Sequence, residues 1–310
     1  MGRAVIGVDL GGTNLRTALV APEGDVLARH KEATEASLGY RKVIGKLIDS
    51  IQEQQENARR SGCSVAAVGV GAPGVIQASR GVVVKSPNFP DWNNLPLKQE
   101  LENAVGIPVF IENDANVAAL GEQWRGAAQG INSMIFLTLG TGVGGGIVLD
   151  GRIWSGADGM AGEVGHMTIV PDGRKCGCGN TGCLEMYASS RGIVMSYQER
   201  NPSASATATT SVQIYEAARR GEALAGQVME DMGRYLGIGI ANLVNIFNPE
   251  MIVVGGGVKD AWTLFIGTTR DEVRKRSFEL PAERARIVPS VLGDDAGMIG
   301  AAAVALQKVR

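Results

Sequence analysis

Residues 4–20 read AVIGVDLGGTNLRTALV, which is a short apolar strand, a glycine-rich turn and a second strand. A Pro-Glu-Gly-Asp turn at 22–25 and another strand-like run follow, so the sequence predicts an antiparallel meander. The pattern recurs at 134–149, which read MIFLTLGTGVGGGIVL and lead into an Asp-Gly turn at 150–151. Two similar strand-turn-strand units therefore begin the two halves of the chain.

Any two glycine-turned hairpins look alike, so the elements that follow decide whether the two units are a duplication. After the first unit the pattern predicts a helix with Ser37 at its N-cap, and then these elements: a buried strand at 65–70, a helix at 97–105, a strand at 108–111 and a helix from Ala115. The second half continues similarly, with a helix at 222–247, a strand at 251–254 and a last helix from about Ala296; the stretch 203–211 is interpreted as a surface loop. This order predicts duplicated α/β lobes that face a cleft, a small lobe of 1–115 joined by about 294–310, and a larger lobe of 116–293.

The bulk composition agrees with two lobes and excludes some classes of partner. At 310 residues the chain exceeds the size at which one hydrophobic core usually stops growing. A net charge of -2 gives no electrostatic reason to bind nucleic acid or an anionic membrane. No apolar run is long enough to span a bilayer, and the N-terminus enters a strand without an export signal. We therefore expect a cytoplasmic protein with reduced cysteines that binds small molecules.

Two segments match the dinucleotide fingerprint G-x-G-x-x-G, at 69–74 and at 140–145. That fingerprint needs a helix directly after the glycines to hold the pyrophosphate, whereas strand-like residues follow here. The Walker A pattern is absent as well. Neither a nicotinamide enzyme nor a P-loop enzyme is predicted.

The two glycine turns offer another way to bind phosphate. Glycine lets main-chain N–H groups approach phosphate oxygens, a threonine hydroxyl adds a donor, and an aspartate beside them can orient Mg²⁺ or its waters. The residues concerned are Asp9, Gly11, Gly12, Thr13, Thr141 and Gly142. Tight hairpins that simply require glycine are the alternative, although this explains less well why both turns carry threonine.

A cluster of cysteines and one histidine predicts a metal site. His166 precedes Cys176, Cys178 and Cys183, and three thiolates with one imidazole are the donors of a closed tetrahedral structural zinc site. Unligated cytosolic thiols or a redox pair are the alternative. The other histidine, His30, lies at the end of a strand without a nearby ligand partner and is interpreted as a surface residue.

Carboxylates and amides gather at three points, namely Asn113-Asp114, Glu163 near His166, and Glu185 near Cys183. Such side chains hold polyhydroxylated substrates, because a carboxylate accepts from vicinal hydroxyls and an amide both donates and accepts. Asp114 alone would be interpreted as a helix N-cap, and the two glutamates as solvated loop charges. One aspartate can be both cap and base, since a strand end that faces the cleft suits either role.

These residues resemble the ROK sugar kinases, most of all the bacterial glucokinases. The matching motifs are IGVDLGGTNLR at 6–16, VGVGAPGVI at 68–76, SPNFPDWNN at 86–94, IENDANVAALGE at 111–122, LTLGTGVGGGIV at 137–148, AGEVGHMTI at 161–169, CGCGNTGCLEMYAS at 176–189 and IVVGGGV at 252–258. The resemblance implies the duplicated actin-like ATPase (ribonuclease H-like) fold, Asp114 as catalytic base, Mg²⁺ with ATP, and a homodimer. It also implies sugar contacts from Gly74, Asn88, Asn113, Asp114, Glu163, His166 and Glu185, and nucleotide contacts that extend to Gly144, Gly256 and Gly257.

The activity implied by the resemblance is phosphorylation of a hexose at its 6-hydroxyl, with glucose as the first choice. Kinases for fructose, allose, N-acetylmannosamine and N-acetylglucosamine share nearly all of these motifs. ROK transcriptional repressors are a further alternative, which we disfavour because the first strand begins at residue 4 and Asp114 is in place. The preferred hexose and phosphoryl donor depend on a few hydrogen bonds that the sequence does not reveal.

Overall fold

A computed structural model describes residues 2–202 and 209–309, so the interpretation of 203–208 as a surface loop lies outside the described residues. The chain divides into two compact units. Unit 1 comprises Met1–Gly130, Gly146–Gly162 and Val291–Arg310, and unit 2 comprises Ile131–Gly145 and Glu163–Ser290. The lobe boundaries expected from the sequence stay a prediction.

The main sheet of unit 1 has the strand order β3-β2-β1-β4-β8. Its strands are β1 (Gly2–Leu10), β2 (Asn14–Val20), β3 (Val26–Ala33), β4 (Cys63–Ala72) and β8 (Val109–Asn113). The first three form the predicted antiparallel meander, and β4 and β8 run parallel to β1. Because parallel strands end at the same edge of a sheet, the ends of β1, β4 and β8 place their last residues side by side.

Alternation along β1 gives this sheet two buried faces. Ile6 and Val8 pack with helices α1 (Tyr40–Arg60) and α2 (Leu97–Val105), while Val5 packs on α10 (Ala296–Val309). Helix α10 lies very close to the sheet, since a Cβ at Gly7 would be 1.9 Å from the Met298 carbonyl oxygen. Helix α3 (Asp114–Arg125) packs along α10.

Some details of unit 1 differ from the sequence-based expectation. Ser37 does not cap α1, because it lies in a short 3₁₀ turn, Ala36–Leu38, and Gly39 then turns the chain with φ 85° before the helix begins. A small antiparallel sheet of β5 (Val75–Gln77), β6 (Val82–Lys85) and β7 (Asn93–Leu95) follows β4.

The second five-stranded sheet has the order β11-β10-β9-β12-β13. Its strands are β9 (Met134–Leu139), β10 (Val143–Leu149), β11 (Arg152–Ile153), β12 (Met251–Gly255) and β13 (Arg286–Pro289). As in the first sheet, a meander is followed by two strands parallel to its first member, β12 beside β9 and β13 beside β12. The duplicated strand-turn-strand unit predicted from the sequence is thereby confirmed.

The helices of unit 2 are α4 (Glu185–Ala188), α5 (Ser190–Arg200), α6 (Ser211–Arg219), α7 (Ala223–Phe247), α8 (Trp262–Arg276) and α9 (Glu279–Arg284). Helices α7 and α8 pack closely, since a Cβ at Gly233 would lie 2.6 Å from the Phe265 carbonyl oxygen. Among the helices of the described ranges, none combines the length and the hydrophobicity that a bilayer crossing requires.

Candidate functional site

The first glycine turn joins β1 to β2 in unit 1. The Gly11 N–H closes it by donating to the Asn14 carbonyl at 2.9 Å. The buried Thr34 holds its other side, since its hydroxyl donates to the Gly11 carbonyl at 2.7 Å and its N–H donates to the Thr13 carbonyl at 2.9 Å. Thr13 is exposed at the tip. The turn is therefore firmly held and open to solvent, as a phosphate-binding turn must be.

Asp9 lies near the end of β1 in a mostly buried environment. Burial raises the pKa of its carboxyl to about 6, although the Arg16 guanidinium, with Nη1 3.3 Å from Asp9 Oδ2, opposes that shift. Arg16 also donates to Asp294 at 2.6 Å. Helix α10 touches the carboxyl as well, because a Cβ at Gly297 would lie 2.6 Å from the Asp9 carboxyl carbon. Such a desolvated carboxylate gains from a cation.

Asn113 ends β8 and Asp114 begins α3. The cap of the helix is Asn113, whose Oδ1 accepts from the N–H groups of Ala115 at 2.9 Å and Asn116 at 3.2 Å. Asp114 Oδ1 accepts from the Ala115 N–H at 2.9 Å, and the Asp114 side chain is half-buried. Asn113, the neighbour of Asp114, therefore caps α3.

Three further residues of unit 1 that are predicted to bind the sugar or the nucleotide make close contacts. Asn113 Nδ2 donates to the Gly74 carbonyl at 3.1 Å, and Gly74 has φ 110° and packs against the backbone of 85–86. A Cβ at Gly12 would lie 2.5 Å from Asn88 Nδ2, so the loop after β6 touches the first glycine turn. Unit 1 therefore holds two contact pairs among the predicted residues, Gly12 with Asn88 and Gly74 with Asn113.

The four predicted metal ligands converge in unit 2. Their ligand atoms all lie within 4.8 Å of one another. A tetrahedron with zinc–sulfur bonds of about 2.3 Å has sulfur corners about 3.8 Å apart. The Cys178 and Cys183 sulfurs are 3.8 Å apart, and Cys176 Sγ lies 3.6 Å from His166 Nδ1. The donor set and its spacing fit a tetrahedral metal ion.

The three thiols of this cluster differ in the direction of their pKa shifts. Burial raises the pKa of the Cys183 thiol to about 12 and also raises that of Cys176, whereas the Asn180 backbone N–H lowers the pKa of Cys178. A bound cation would favour the thiolate form of all three.

The predicted sugar ligands of unit 2 surround this cluster. His166 directs Nδ1 toward Cys176, and its Nε2 lies 3.9 Å from Glu163 Oε2. Glu185 Oε1 is 3.9 Å from Cys176 Sγ, while its Oε2 accepts from the Val143 N–H at 3.1 Å. One imidazole and two carboxylates thus lie beside the predicted metal ligands.

The second glycine turn adjoins the same cluster. A Cβ at Gly165 would lie 2.0 Å from the Val143 carbonyl oxygen, and one at Gly142 would lie 2.3 Å from Glu185 Oε2. Thr141 is exposed, Gly144 is partly exposed in β10, and Gly256, with φ 80°, packs on the Leu139 carbonyl. Gly257 follows Gly256 and begins a 3₁₀ turn. The turn, the predicted sugar ligands and the metal cluster thus share one region of unit 2.

Several residues with structural roles at these sites were missed by the sequence reasoning. Arg16 contacts Asp9, Glu122 anchors the C-terminal end of α3, and Arg174 anchors the metal loop, residues 166–183, which carries the four predicted ligands. His30, interpreted as a surface residue without a ligand partner, is partly exposed, and its Nδ1 forms an ion pair with Glu53 on α1 at 2.9 Å that the sequence did not reveal. Partners distant in the chain leave no local sequence signal.

Comparison with known proteins identifies relatives over the whole chain. The ROK family model matches residues 5–308. A glucokinase from Halalkalibacterium halodurans is 37% identical over 309 residues, which cover 96% of this chain and 93% of that protein. A xylose repressor from Caldicellulosiruptor bescii is 33% identical, with 98% of this chain and 78% of the repressor covered.

A solved structure supports the same relationship. The ROK family glucokinase from Streptomyces griseus, in complex with glucose and AMPPNP, is 37% identical with a TM-score of 0.82, and the match covers 98% of this chain and 99% of that one. The duplicated two-lobe actin-like ATPase fold is confirmed by this likeness and by the repeated strand order. By sequence and by structure, the chain belongs to the ROK family.

Proposed function

We propose that the chain is an ATP-dependent hexose kinase that transfers the γ-phosphoryl group to the 6-hydroxyl of glucose. Glucokinases are similar to it over nearly their whole length, and the Streptomyces griseus relative binds glucose and AMPPNP. The observation that carries the proposal is the placement of Asp9 and Asp114 at one edge of the unit 1 sheet.

Strand register explains that placement. Asp9 on β1 pairs with Gly71 on β4, and the next residue of β4, Ala72, pairs with Asn113 on β8. Since β4 lies between them, β1 and β8 are two strand spacings apart, or roughly 10 Å. This separation leaves room for a phosphoryl group, with a carboxylate that can hold a cation on one side and a base on the other.

In the proposed reaction, Asp114 accepts the proton of the 6-hydroxyl as that oxygen attacks the γ-phosphorus in line. Because Asn113 caps α3, the Asp114 carboxylate is not required for capping. Main-chain N–H groups of the two glycine turns would stabilise charge on the phosphates, with Thr13 and Thr141 as added donors. Mg²⁺ bound with ATP would supply further charge neutralisation, and Asp9 would hold it or its waters.

The remaining assignments follow the two groups of residues. Gly74, Asn88 and Asn113 of unit 1, and Glu163, His166 and Glu185 of unit 2, are proposed to bind the sugar. Gly11, Gly12, Gly142, Gly144, Gly256 and Gly257 are proposed to line the nucleotide site. Zinc is the proposed metal at His166, Cys176, Cys178 and Cys183, where four protein ligands would complete a closed site with a structural role.

A coupled assay of ADP release over a hexose panel tests the substrate. The panel contains glucose, fructose, allose, N-acetylmannosamine and N-acetylglucosamine, and each is assayed with ATP and with polyphosphate. We expect the highest kcat/KM with glucose and ATP. A higher kcat/KM for another hexose would replace glucose, and no ADP release above the sugar-free rate with any hexose would refute the kinase assignment.

A sugar-responsive DNA-binding regulator is the second candidate, because the xylose repressor is 33% identical over nearly all of this chain. A gel-shift assay with genomic fragments, with and without sugars, tests it. Sugar-sensitive DNA binding without kinase activity would favour the regulator.

A homodimer is also proposed. The exposed side chains of Ile246 and Phe278 are consistent with a contact surface, and the Phe278 N–H donates to the side chain of Asn245 beside Ile246. Light scattering coupled to size exclusion measures the mass directly, and a monomer at micromolar concentration would contradict this.

A further inference from the structure

Arg174 precedes the first metal-binding cysteine by two residues, and its guanidinium is fully engaged. Nη1 donates to the carbonyls of Met186 at 2.7 Å and Gly192 at 3.3 Å. Nη2 donates to Ser196 at 3.0 Å and Glu199 at 2.6 Å, and Nε donates to Glu199 at 3.0 Å. These five contacts use all five N–H donors of an arginine, so lysine could not reproduce them.

The backbone and ring around Arg174 strengthen this anchor. The Arg174 N–H donates to the Tyr187 hydroxyl at 2.9 Å, and the guanidinium lies over the Tyr187 ring, 4.8 Å from its centroid. The Arg174 side chain is only 15% exposed, whereas Glu199 is 54% exposed, so the bonds to the Met186 and Gly192 carbonyls and to Ser196 are the better shielded ones. All of these partners belong to α4 and α5, the corner that the chain enters directly after the metal-binding Cys183.

The same corner also holds both ends of the second glycine turn. The Ser190 N–H donates to the Gly140 carbonyl at 2.8 Å, and Glu185 accepts from the Val143 N–H at 3.1 Å. The fit is close, because even a Cβ at Gly142 would lie 2.3 Å from the Glu185 carboxylate. A shift of the corner must therefore move the turn as well.

We propose that Arg174 is a positioning residue that couples the metal loop to the phosphate-binding turn through the α4–α5 corner. The proposal rests on the proposed function in one respect, namely that the turn at 140–143 binds nucleotide phosphates. Its consequence is that the metal loop sets the affinity for nucleotide, in addition to shaping the sugar site that it adjoins.

The test compares Arg174→Lys with wild type and with Arg200→Lys. Arg200 is a matched control, because it lies on α5, is more exposed and pairs with Asp231 on α7. Affinity for a non-hydrolysable ATP analogue is measured by calorimetry without sugar, and zinc content is measured by mass spectrometry. We expect about a tenfold weaker affinity for Arg174→Lys, with full zinc content and unchanged binding by Arg200→Lys.

Hydrogen exchange gives a readout that is independent of activity. In Arg174→Lys, exchange should accelerate in peptides that cover 139–145 and 188–192, and stay at the wild-type rate in 251–255. If Arg174→Lys does not fold, Ser196→Ala is used instead, because it removes only one of the acceptors of Arg174. It should accelerate exchange in the same peptides, by a smaller factor. Analogue affinity within twofold of wild type together with unchanged exchange at 139–145 overturns the proposal. Failure of the wild type itself to bind the analogue would instead refute the proposed function.

Discussion

Glu122 offers a sharp test of how unit 1 is held together. Its side chain is fully buried, and its two carboxylate oxygens accept from three backbone N–H groups: Ala127 at 2.8 Å, Leu292 at 3.0 Å and Val291 at 3.4 Å. One carboxylate thus binds the end of α3 to the segment that leads into α10. These helices begin beside the two central carboxylates of the proposed site, α3 at Asp114 and α10 beside Asp9.

The perturbation is Glu122→Gln, which keeps the shape of the side chain. The amide oxygen of the glutamine can still accept from the N–H groups of Ala127 and Val291. Its NH₂ group then faces the Leu292 N–H, so two hydrogen-bond donors oppose each other. Leaving a buried donor unsatisfied costs about 1–3 kcal/mol. The matched control is Glu102→Gln, since Glu102 also accepts from a backbone N–H, that of Val109 at 2.9 Å, but is 33% exposed. Water can compensate there, so we expect a loss below about 1 kcal/mol.

Urea unfolding followed by tryptophan fluorescence measures this difference. Three of the four tryptophans, Trp92, Trp124 and Trp154, belong to unit 1, so the signal reports mainly on that unit. Glu122→Gln should lower the urea midpoint clearly more than Glu102→Gln, and kcat should fall severalfold because both carboxylates of the site lose support. Equal midpoints for the two variants would refute the view that Glu122 anchors the segment before α10.

Three further predictions concern the proposed site. Asp114→Asn should reduce kcat by about 10²–10⁴, with little change in sugar affinity, and the melting temperature should change little because Asn113 caps α3. The control is Asp49→Asn, on the exposed face of α1. Near-normal turnover in Asp114→Asn would reject Asp114 as the base. Chelation of the metal should lower the melting temperature and weaken glucose binding together, by about tenfold or more, and a stripped protein that kept both properties would contradict a structural metal. Burial raises the pKa of Asp9 in the folded protein to about 6, above its ordinary value of 3.8. Proton uptake by Asp9 therefore stabilises the fold fully below about pH 4, and this stabilisation is lost as the pH rises through 6. In Mg²⁺-free buffer, Asp9→Asn should therefore gain stability relative to wild type between pH 4 and 7, by up to about 3 kcal/mol, whereas a difference that does not vary with pH would exclude a raised pKa.

The parts of the fold that follow local rules could be predicted from the sequence. The helix predicted at 97–105 is observed as α2, and the long helix predicted at 222–247 is α7. Both have apolar residues at helical spacing, which is a property of the segment itself. The metal cluster was also predictable, because three of its four ligands lie within eight positions and glycines between them allow a tight loop.

The helix starts show where such rules give an incomplete answer. Asn113 and Asp114 are both good capping residues, and the sequence does not decide between them. The choice depends on where β8 ends, which its pairing with β4 fixes, since Ala72 pairs with Asn113. A tertiary contact therefore decides that Asn113, and not Asp114, is the N-cap of α3. Ser37 failed as a cap for a similar reason, because a 3₁₀ turn intervenes before α1.

The residues that were missed share a physical feature. Glu122 and Arg174 both bind backbone groups of distant segments, and backbone N–H and C=O groups are the same at every position of the chain. No pattern of side chains can therefore indicate these backbone partners. Both residues also support the proposed site without being assigned to it, Glu122 through α3 and Arg174 through the α4–α5 corner. Candidate catalytic groups in this fold can thus be proposed from short motifs, whereas the residues that hold them in position become visible only once the strands are paired.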